Sequence, residues 1–137
     1  MKSQTGKERL LPHLSEGNRD KTMKAPATAI VGYDLEFYAH ASKGQDPLAG
    51  FADKPDAAQA YCARNGSLQG AYLIMAARAL GLDAGPMSGF NNAGVDQAFF
   101  AGTSVRSNFL CNVGYGDPVA LRPRGPRFAV EEAAQIL

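Results

Sequence analysis

The fold is decided by one continuous stretch, residues 63–90, which reads ARNGSLQGAYLIMAARALGLDAGPMSGF. Its first part belongs to a helix that we predict over residues 56–80. Apolar residues recur along this helix at i, i+4, i+7 and i+11, namely Leu68, Tyr72, Met75 and Ala79. A stripe with this spacing covers one face of a helix. Ala71, Ile74 and Ala77 are apolar too, so we expect much of the second half of the helix to be buried.

Two glycines, Gly66 and Gly70, lie one turn apart in the predicted helix. Glycine costs a helix about 1 kcal/mol relative to alanine, so it is tolerated where another backbone must come close. The pair therefore makes the helix a candidate contact between subunits. Gly81 follows at the position where glycine commonly ends a helix.

A turn-rich stretch, residues 83–90, comes next and contains the loop Gly85-Pro86-Met87-Ser88-Gly89. This loop offers free backbone N–H groups, apolar cover and little side-chain bulk. A flat heteroaromatic ring could lie against it and take hydrogen bonds from the main chain. Composition alone favours a tight turn between two helices, so both interpretations stay open.

Two strands are predicted, at residues 27–33 and 108–115, and the second is expected to be central. Two strands are too few for a stable sheet, so the chain looks like part of a larger unit. Residues 34–55 are predicted to form a long loop. Short helices are expected after a capping box at Thr5, from a cap at Asn18 to Lys24, and after a cap at Asn91.

The segment Arg122-Pro123-Arg124-Gly125-Pro126-Arg127 precedes a last predicted helix, residues 130–137. It places three guanidinium groups on a stiffened chain, and planar guanidinium forks suit the binding of a phosphate. A solvated charged loop has the same composition, so this alternative also stays open.

Composition narrows the function classes. The chain has 137 residues, 45% of them hydrophobic and 20% charged, which fits a single domain over residues 1–137. Its net charge of +1 predicts no broad surface for nucleic acid or anionic membranes. No apolar window is long enough to span a membrane, and residues 1–8 lack the apolar core of a signal peptide. Cys62 and Cys111 have no CxxC partner, so we expect buried, unpaired thiols in a reducing cytoplasm.

No familiar catalytic constellation is present in the sequence. His13 and His40 have no metal-ligand partner at i+3 or i+4, and the Walker, GxGxxG and nucleophile-elbow motifs are absent. If the protein is an enzyme, we therefore expect a cofactor to supply the chemistry, while the chain supplies position and electrostatics.

Four segments in this order resemble the nitroreductase family of flavoproteins, and within it the malonic semialdehyde reductases of pyrimidine degradation. They are GKERLLPHLSEGN at 6–18, APATAIVGYDLEFY at 25–38, ARNGSLQGAYLIMAARALGLDAGPMSGF at 63–90, and FLCNVGYGDP followed by RPRGPR at 109–127. The third segment is the most specific, because it joins the long helix to the GPMSGF loop without a gap. The resemblance covers nearly the whole chain.

The resemblance implies an α+β fold, a three-layer α-β-α sandwich with a mixed, mainly antiparallel sheet. It also implies an obligate homodimer with two FMN molecules at the subunit interface, and the helix at 56–80 is the expected contact. In that family the flavin takes hydride from NADH or NADPH and passes it to a second substrate. Candidate acceptors are nitroaromatics, quinones, enones and, in the nearest subgroup, a 3-oxo acid such as malonic semialdehyde.

Site residues follow from the resemblance position by position. The segment that covers the isoalloxazine ring, with backbone N–H groups near flavin N5, looks like Pro86, Met87, Ser88 and Gly89. The basic residues that hold the FMN phosphate look like Arg124 and, less securely matched, Arg127. Three polar residues of the long helix lie where partner contacts and substrate are expected, with packing or interface roles favoured: Arg64, Asn65 and Gln69. No catalytic side chain and no metal ligand are assigned.

The sequence also departs from the family pattern. Family members begin with a helical segment, a Ser/Asn-containing loop and a first strand, and none of these precedes Thr5. The resemblance therefore implies an N-terminally truncated domain. Two alternatives stay open: a module that binds flavin or another phosphate-bearing ligand without redox activity, and an inactive fragment that pairs through the long helix.

Overall fold

The computed structural model describes residues 1–40 and 48–137. The helices among these residues are α1 Gln4–Leu10, α2 Glu16–Lys24, α3 Phe37–His40, α4 Pro55–Ala79, α5 Asn92–Phe99 and α6 Val130–Ala133. The strands are β1 Ala27–Asp34, β2 Asp83–Met87 and β3 Val105–Gly114. Short 3-10 turns occur at Leu11–His13, Ala49–Phe51 and Pro118–Ala120.

The described strands form one sheet in the order β1-β3-β2, so the strand that we predicted to be central is central. The prediction of only two strands is wrong, because the turn-rich stretch after the long helix contains β2. Pro86 is compatible with a strand there because β2 lies at an edge of the sheet, where proline is tolerated. Both pairings are antiparallel, so the mixed character expected of the sheet does not occur among these strands.

Helices cover both faces of the sheet, which confirms the three-layer α+β fold. On one face α1, α2 and α5 enclose a core of five buried residues: Leu10, Leu14, Met87, Val95 and Leu110. The Asn91 side chain accepts a hydrogen bond from Gly94 N–H (3.1 Å), so the predicted cap of α5 is confirmed. On the opposite face α4 packs against β1 and β3.

The two long sides of α4 differ in residue size. The inner face, which packs on the sheet, consists of small buried residues: Ala58, Cys62, Gly66, Gly70 and Ala77. The outer face consists of the large apolar residues Leu68, Tyr72 and Met75, which are 57%, 77% and 68% exposed. The expectation that much of the second half of the helix is buried is therefore wrong for the chain by itself.

The glycine pair of α4 serves a contact inside the chain. A Cβ at Gly70 would lie 2.4 Å from Phe109 Cζ, and a Cβ at Gly66 would lie 3.1 Å from Tyr33 Cβ. The interpretation of these glycines as a subunit contact is wrong, because the atoms that approach them most closely belong to residues of the chain's own sheet.

Both ends of α4 follow from the sequence. Pro55 begins the helix, where its missing N–H would have no intrahelical acceptor. Gly81 has φ +78° and ends it. Leu82 N–H donates to Ala77 O, and Gly81 N–H donates to Arg78 O, both at 3.0 Å, which satisfies the last carbonyls. The predicted helix at 56–80 is confirmed.

Two predicted helix caps are wrong. Ser3 caps α1 in place of Thr5, because its hydroxyl accepts from Gly6 N–H (3.1 Å). Asn18 lies inside α2, and its side chain donates to Gly89 O (2.9 Å) instead of capping the helix.

Two further segments differ from prediction. The last helix, predicted over 130–137, is only α6, Val130–Ala133. The predicted loop at 34–55 contains α3 and the 3-10 turn Ala49–Phe51, and its residues 41–47 lie outside the described part of the chain.

Candidate functional site

A groove of about 490 Å³ opens between α4, β3 and the end of β2. Its walls come from Ser67, Ala71 and Ile74 of α4, from Asn108 and Phe109 of β3, and from Pro86, Met87 and Ser88. Mostly apolar concavities with a few polar groups, of about 300–1,000 Å³, are typical of small-molecule sites. The groove has the size and chemistry of such a site.

A β-bulge in β3 determines which side chains face this groove. The pairing of β1 with β3 passes from Phe109 directly to Ser107 and skips Asn108. Ser107 contacts α5, whereas Asn108 and Phe109 both contact α4. Side chains of a regular strand alternate between the two faces, so the bulge is what turns Asn108 toward the groove.

Asn108 is held by a chain of hydrogen bonds to α4. Its Nδ2 donates to Ser67 Oγ (2.9 Å), and Ser67 Oγ donates to Ala63 O (2.9 Å). The Ser67 hydroxyl has one proton and gives it to Ala63, so toward Asn108 it can only accept. Oδ1 of Asn108 has no hydrogen-bond partner within the described part of the chain.

The backbone that follows β2 supplies a donor to the same groove. Ser88 lines it, and among the described residues its N–H has no acceptor. The next residue is held in place, because Gly89 O accepts from Ser15 N–H (3.0 Å) and from Asn18 Nδ2 (2.9 Å). A main-chain N–H that is free and held in position can bind an acceptor atom of a ligand.

Gly89 lies behind the groove and does not line it. A Cβ at this position would lie 2.6 Å from Asn18 Nδ2 and 3.3 Å from Ser15 Oγ. A side chain at Gly89 would therefore have to displace the Asn18 amide, which lies in α2 and holds Gly89 O. Sequence reasoning missed the contact between Asn18 and Gly89, because the position of Asn18 indicated only a helix cap.

Met87 anchors the loop from the other side of the sheet. Its Sδ accepts weak hydrogen bonds from Thr22 Oγ1 and Asn112 Nδ2, both at 3.8 Å. Thr28 Oγ1 in turn donates to Asn112 Oδ1 (2.7 Å), and both threonines are fully buried. Met87 thus holds the backbone of the loop through a buried polar network.

The basic residues predicted for a phosphate lie away from the groove walls. Every residue from 115 to 137 is exposed, and neither Arg124 nor Arg127 lines the groove. Arg127 donates to the backbone oxygens of Gly125 (3.0 Å) and Pro126 (3.1 Å). The chain by itself therefore does not bring these guanidinium groups to the loop at 86–89.

A second cavity, of about 370 Å³, lies between the end of β1 and the first half of α4. Asn65 and Gln69 line it, whereas Arg64 is exposed outside its lining. Tyr61 stacks on Phe37 beside it, with ring centroids 5.1 Å apart. Of the three polar residues predicted near substrate or partner, two thus share a cavity.

Asp34 is the acidic group of the second cavity. The Ser104 hydroxyl, which donates to its carboxylate, holds the pKa of Asp34 below its ordinary value, and Glu36 N–H and the nearby His40 add to this. Asp34 is therefore a stable anion, suited to holding α3 against β1.

Cys62 and Cys111 are buried and unpaired, as predicted. Burial raises the pKa of both thiols, so neither is activated as a nucleophile.

The chain is similar in sequence to members of a known protein family. The model of the nitroreductase family matches residues 1–115. A protein of Stenotrophomonas maltophilia K279a, described as an NADH dehydrogenase/NAD(P)H nitroreductase, is 58% identical over 137 residues. That match covers 98% of this chain and 70% of the relative.

Solved structures share the fold. A nitroreductase of Bacillus subtilis superimposes with a TM-score of 0.82 at 21% identity, covering 100% of this chain and 75% of the other. A nitroreductase of Exiguobacterium sibiricum in complex with FMN superimposes with a TM-score of 0.71 at 20% identity. That match covers 99% of this chain and 73% of the other. Within residues 1–40 and 48–137, no helix combines the length and apolarity needed to cross a membrane. The chain belongs to the nitroreductase family of oxidoreductases.

Proposed function

We propose that FMN binds in the groove with its isoalloxazine ring against the loop Pro86-Met87-Ser88-Gly89. The observation that carries this proposal is the free N–H of Ser88 at the wall of an apolar groove of about 490 Å³. Flat apolar surfaces at Pro86 and Phe109 fit a planar ring, and the main-chain donor fits its nitrogen-bearing edge.

Bound FMN would supply the hydride-transfer chemistry between NADH or NADPH and an organic acceptor. The chain supplies position and surroundings. The Ser88 N–H would donate a hydrogen bond to the ring, while Ala71 and Ile74 would exclude water from the wall that α4 forms. Met87, held by its buried network, keeps the loop in place.

Arg124, and with it Arg127, binds the FMN phosphate. Both guanidinium groups are exposed and therefore accessible to a phosphate, and Arg presents the planar fork that phosphate oxygens match. Because these residues do not line the groove of their own chain, the segment 122–127 approaches the flavin only when it changes position or reaches a second subunit.

The acceptor is a small organic molecule: a nitroaromatic, a quinone, an enone or a 3-oxo acid such as malonic semialdehyde. An apolar wall with few polar groups selects weakly among such compounds, because a methylene group changes binding by only about 1–3 kcal/mol. The resemblance to malonic semialdehyde reductases favours the 3-oxo acid.

The chain acts as one domain over residues 1–137 and forms a homodimer through the outer face of α4. Three large apolar side chains lie exposed along that face, and monomeric proteins seldom leave such a patch uncovered. The two free cysteines support a reducing compartment, the cytoplasm.

The test is to titrate the purified chain with FMN and then follow oxidation of NADH and NADPH with each of the four acceptors. We expect FMN binding, followed by NAD(P)H oxidation that depends on the acceptor. FMN binding without NAD(P)H oxidation would instead identify a flavin-binding module. No binding of FMN would contradict the proposed site.

Variants separate the side-chain contribution from the backbone contribution. Arg124→Ala should weaken FMN binding by about 1.5–3 kcal/mol, and Arg124→Lys should recover only part of that loss. Ser88→Ala should change binding by less than about 0.5 kcal/mol, because the N–H remains. Gly89→Val should lower flavin content by pushing the loop away from Asn18. If Ser88→Ala proves as damaging as Arg124→Ala, the role assigned to the loop backbone is wrong.

A further inference from the structure

We propose that Lys7 is a positioning residue, which anchors α2 so that this helix holds the loop at 86–89 in place. Lys7 lies in α1 and does not line the groove, so it acts on the loop only through α2. This inference rests on the proposed function, because it concerns the loop that FMN would contact. Neither helical periodicity nor the resemblance to the family assigned a role to this lysine.

The first step is the burial of Lys7, because only 5% of the residue is exposed. Its Nζ donates to Met23 O (3.2 Å) and to Ala25 O, both at the C-terminal end of α2. The last carbonyls of a helix lack intrahelical partners and carry the negative end of its dipole, so an ammonium group stabilises them. Lysine is almost never fully buried unless it is paired, and the partners of Lys7 are these two carbonyl groups. Lys7 therefore fixes the end of α2 relative to α1.

The second step is the weak apolar contact of α2 with the rest of the chain. Its sequence, EGNRDKTMK, contains a single large apolar residue. Within α2, all of which the structure describes, Thr22 is the only buried residue. A surface helix normally gains its stability in a protein by packing an apolar face on the core. Because α2 has no such face, polar contacts determine its position.

The third step is the contact of α2 with the loop. The helix binds both residues that flank Ser88, which lines the groove. On one side Gly89 O accepts from Asn18 Nδ2 (2.9 Å), and on the other Met87 Sδ accepts from Thr22 Oγ1 (3.8 Å). Asn18 and Thr22 are four residues apart, on one face of the helix. A shift of α2 would therefore move the backbone on both sides of Ser88.

The competing explanation is that Lys7 only raises the overall stability of the fold. A change in stability alone leaves both the folded conformation of the loop and the affinity of the folded chain for FMN unchanged. Two measurements on the full chain, under conditions where it is fully folded, therefore separate the roles. The amide resonances of Ser88 and Gly89 report the position of the loop without ligand. Flavin fluorescence gives the dissociation constant for FMN.

In Lys7→Met, which keeps most of the side chain and removes the ammonium group, the amide resonances of the loop should shift or broaden. FMN binding should weaken by about three- to tenfold, as expected when a remote contact that fixes a site is lost. Lys21→Met is the matched control, because Lys21 is an exposed lysine of α2, and it should change neither quantity. Lys7→Met and Asn18→Ala together should weaken binding by less than the product of the separate effects, because both act through one contact.

Other outcomes overturn the assignment. If Lys7→Met lowers the midpoint of urea unfolding but changes neither the loop resonances nor the affinity for FMN, Lys7 serves stability alone. Loop resonances that shift while FMN binds as tightly as before would show that α2 does not position the loop for its ligand. If Lys7→Met does not fold, Lys7→Gln, whose amide donates over a shorter reach, decides by the same two measurements. An unchanged chain that binds no FMN overturns the proposed function, whereas unaltered loop resonances in the variant overturn the role of Lys7.

Discussion

The inner face of α4 consists of small residues, and its outer face carries large apolar residues. The inner face packs on the sheet with alanine, cysteine and glycine, whereas the outer face exposes leucine, tyrosine and methionine. A surface helix of a globular protein normally turns its large apolar side chains toward the core. In α4 the large side chains face away from it.

The difference teaches that helical periodicity locates an apolar face without saying what covers it. The inner face needs small residues because the sheet comes so close that a Cβ at Gly70 would overlap the Phe109 ring. The outer face carries the larger hydrophobic area, which only a second surface can bury. The two faces therefore make different predictions about the dependence of stability on protein concentration.

The largest expected effect is on the outer face. Replacing Tyr72 and Met75 together by serine should weaken the proposed homodimer by about 2–4 kcal/mol, because it would remove two large apolar side chains from the proposed contact. Sedimentation velocity over a range of protein concentrations measures this change.

The unfolding free energy of the dilute monomer should change by less than about 0.5 kcal/mol, because both side chains are already exposed there. Gln59→Ser, on an exposed position of the same helix, serves as the control. If the double variant keeps the original dissociation constant, the outer face is not the contact.

The next effect is on the inner face. Gly70→Leu should lower the free energy of unfolding by about 1–3 kcal/mol, because the added side chain overpacks against Phe109 and Val31. Chemical denaturation measures the loss, which should be the same at every protein concentration.

Gly17→Leu is the matched control, because a Cβ at Gly17 in α2 would meet no other part of the described chain within 4 Å. This variant should leave the stability unchanged or raise it slightly. If Gly70→Leu lowers the free energy of unfolding only at concentrations where a dimer forms, Gly70 belongs to the contact between subunits after all.

Much of the fold could be predicted because its main elements are locally encoded. The helix α4, the strands β1 and β3 and the Asn91 cap all follow from short-range patterns. The strand β2 could not be predicted, since Asp83, Gly85 and Pro86 all disfavour strands locally. Its conformation depends on pairing with β3 at the edge of the sheet, and that contact is remote in sequence.

The candidate site divides in the same way. The resemblance indicated the loop at 86–89, and the structure has Pro86, Met87 and Ser88 at the groove. Ser67 and Asn108 could not be predicted, because Asn108 faces α4 only through a bulge that arises when β1 and β3 pair. The local sequence pattern does not indicate which residue of β3 the pairing skips.

A smaller effect on the free energy of unfolding is expected at Gly81, the residue that ends α4. Gly81→Ala should lower the free energy of unfolding by about 1–2 kcal/mol, because φ +78° strains any residue with a Cβ. Among the described residues, no atom beyond the immediate chain neighbours lies within 4 Å of that Cβ, so the loss reports backbone strain. Thermal unfolding of this variant beside Gly50→Ala, an open site in a 3-10 turn without positive φ, measures it; equal melting temperatures would contradict the explanation.

The smallest effect concerns Asp83, which ties the last turn of α4 to β2. Gly116 N–H, which donates to Asp83 Oδ2 (2.7 Å), and the Arg78 guanidinium hold the pKa of this carboxyl below its ordinary value. A carboxylate with a lowered folded pKa stabilises the chain above its unfolded pKa, about 4, and the stabilisation is lost as pH falls through the folded pKa. Asp83→Asn should therefore melt at a lower temperature than the unchanged chain at neutral pH.

The pH dependence distinguishes this charge effect from a packing effect. As the pH falls below about 4, Asp83 takes up its proton and the melting temperatures of the two proteins should converge, because a neutral Asp and an Asn resemble each other. The exposed Asp53, replaced by asparagine, should show no comparable convergence. A gap between Asp83→Asn and the unchanged chain that stays constant through this range would mean that the side chain acts by shape, and that its charge contributes nothing to holding α4 on the sheet.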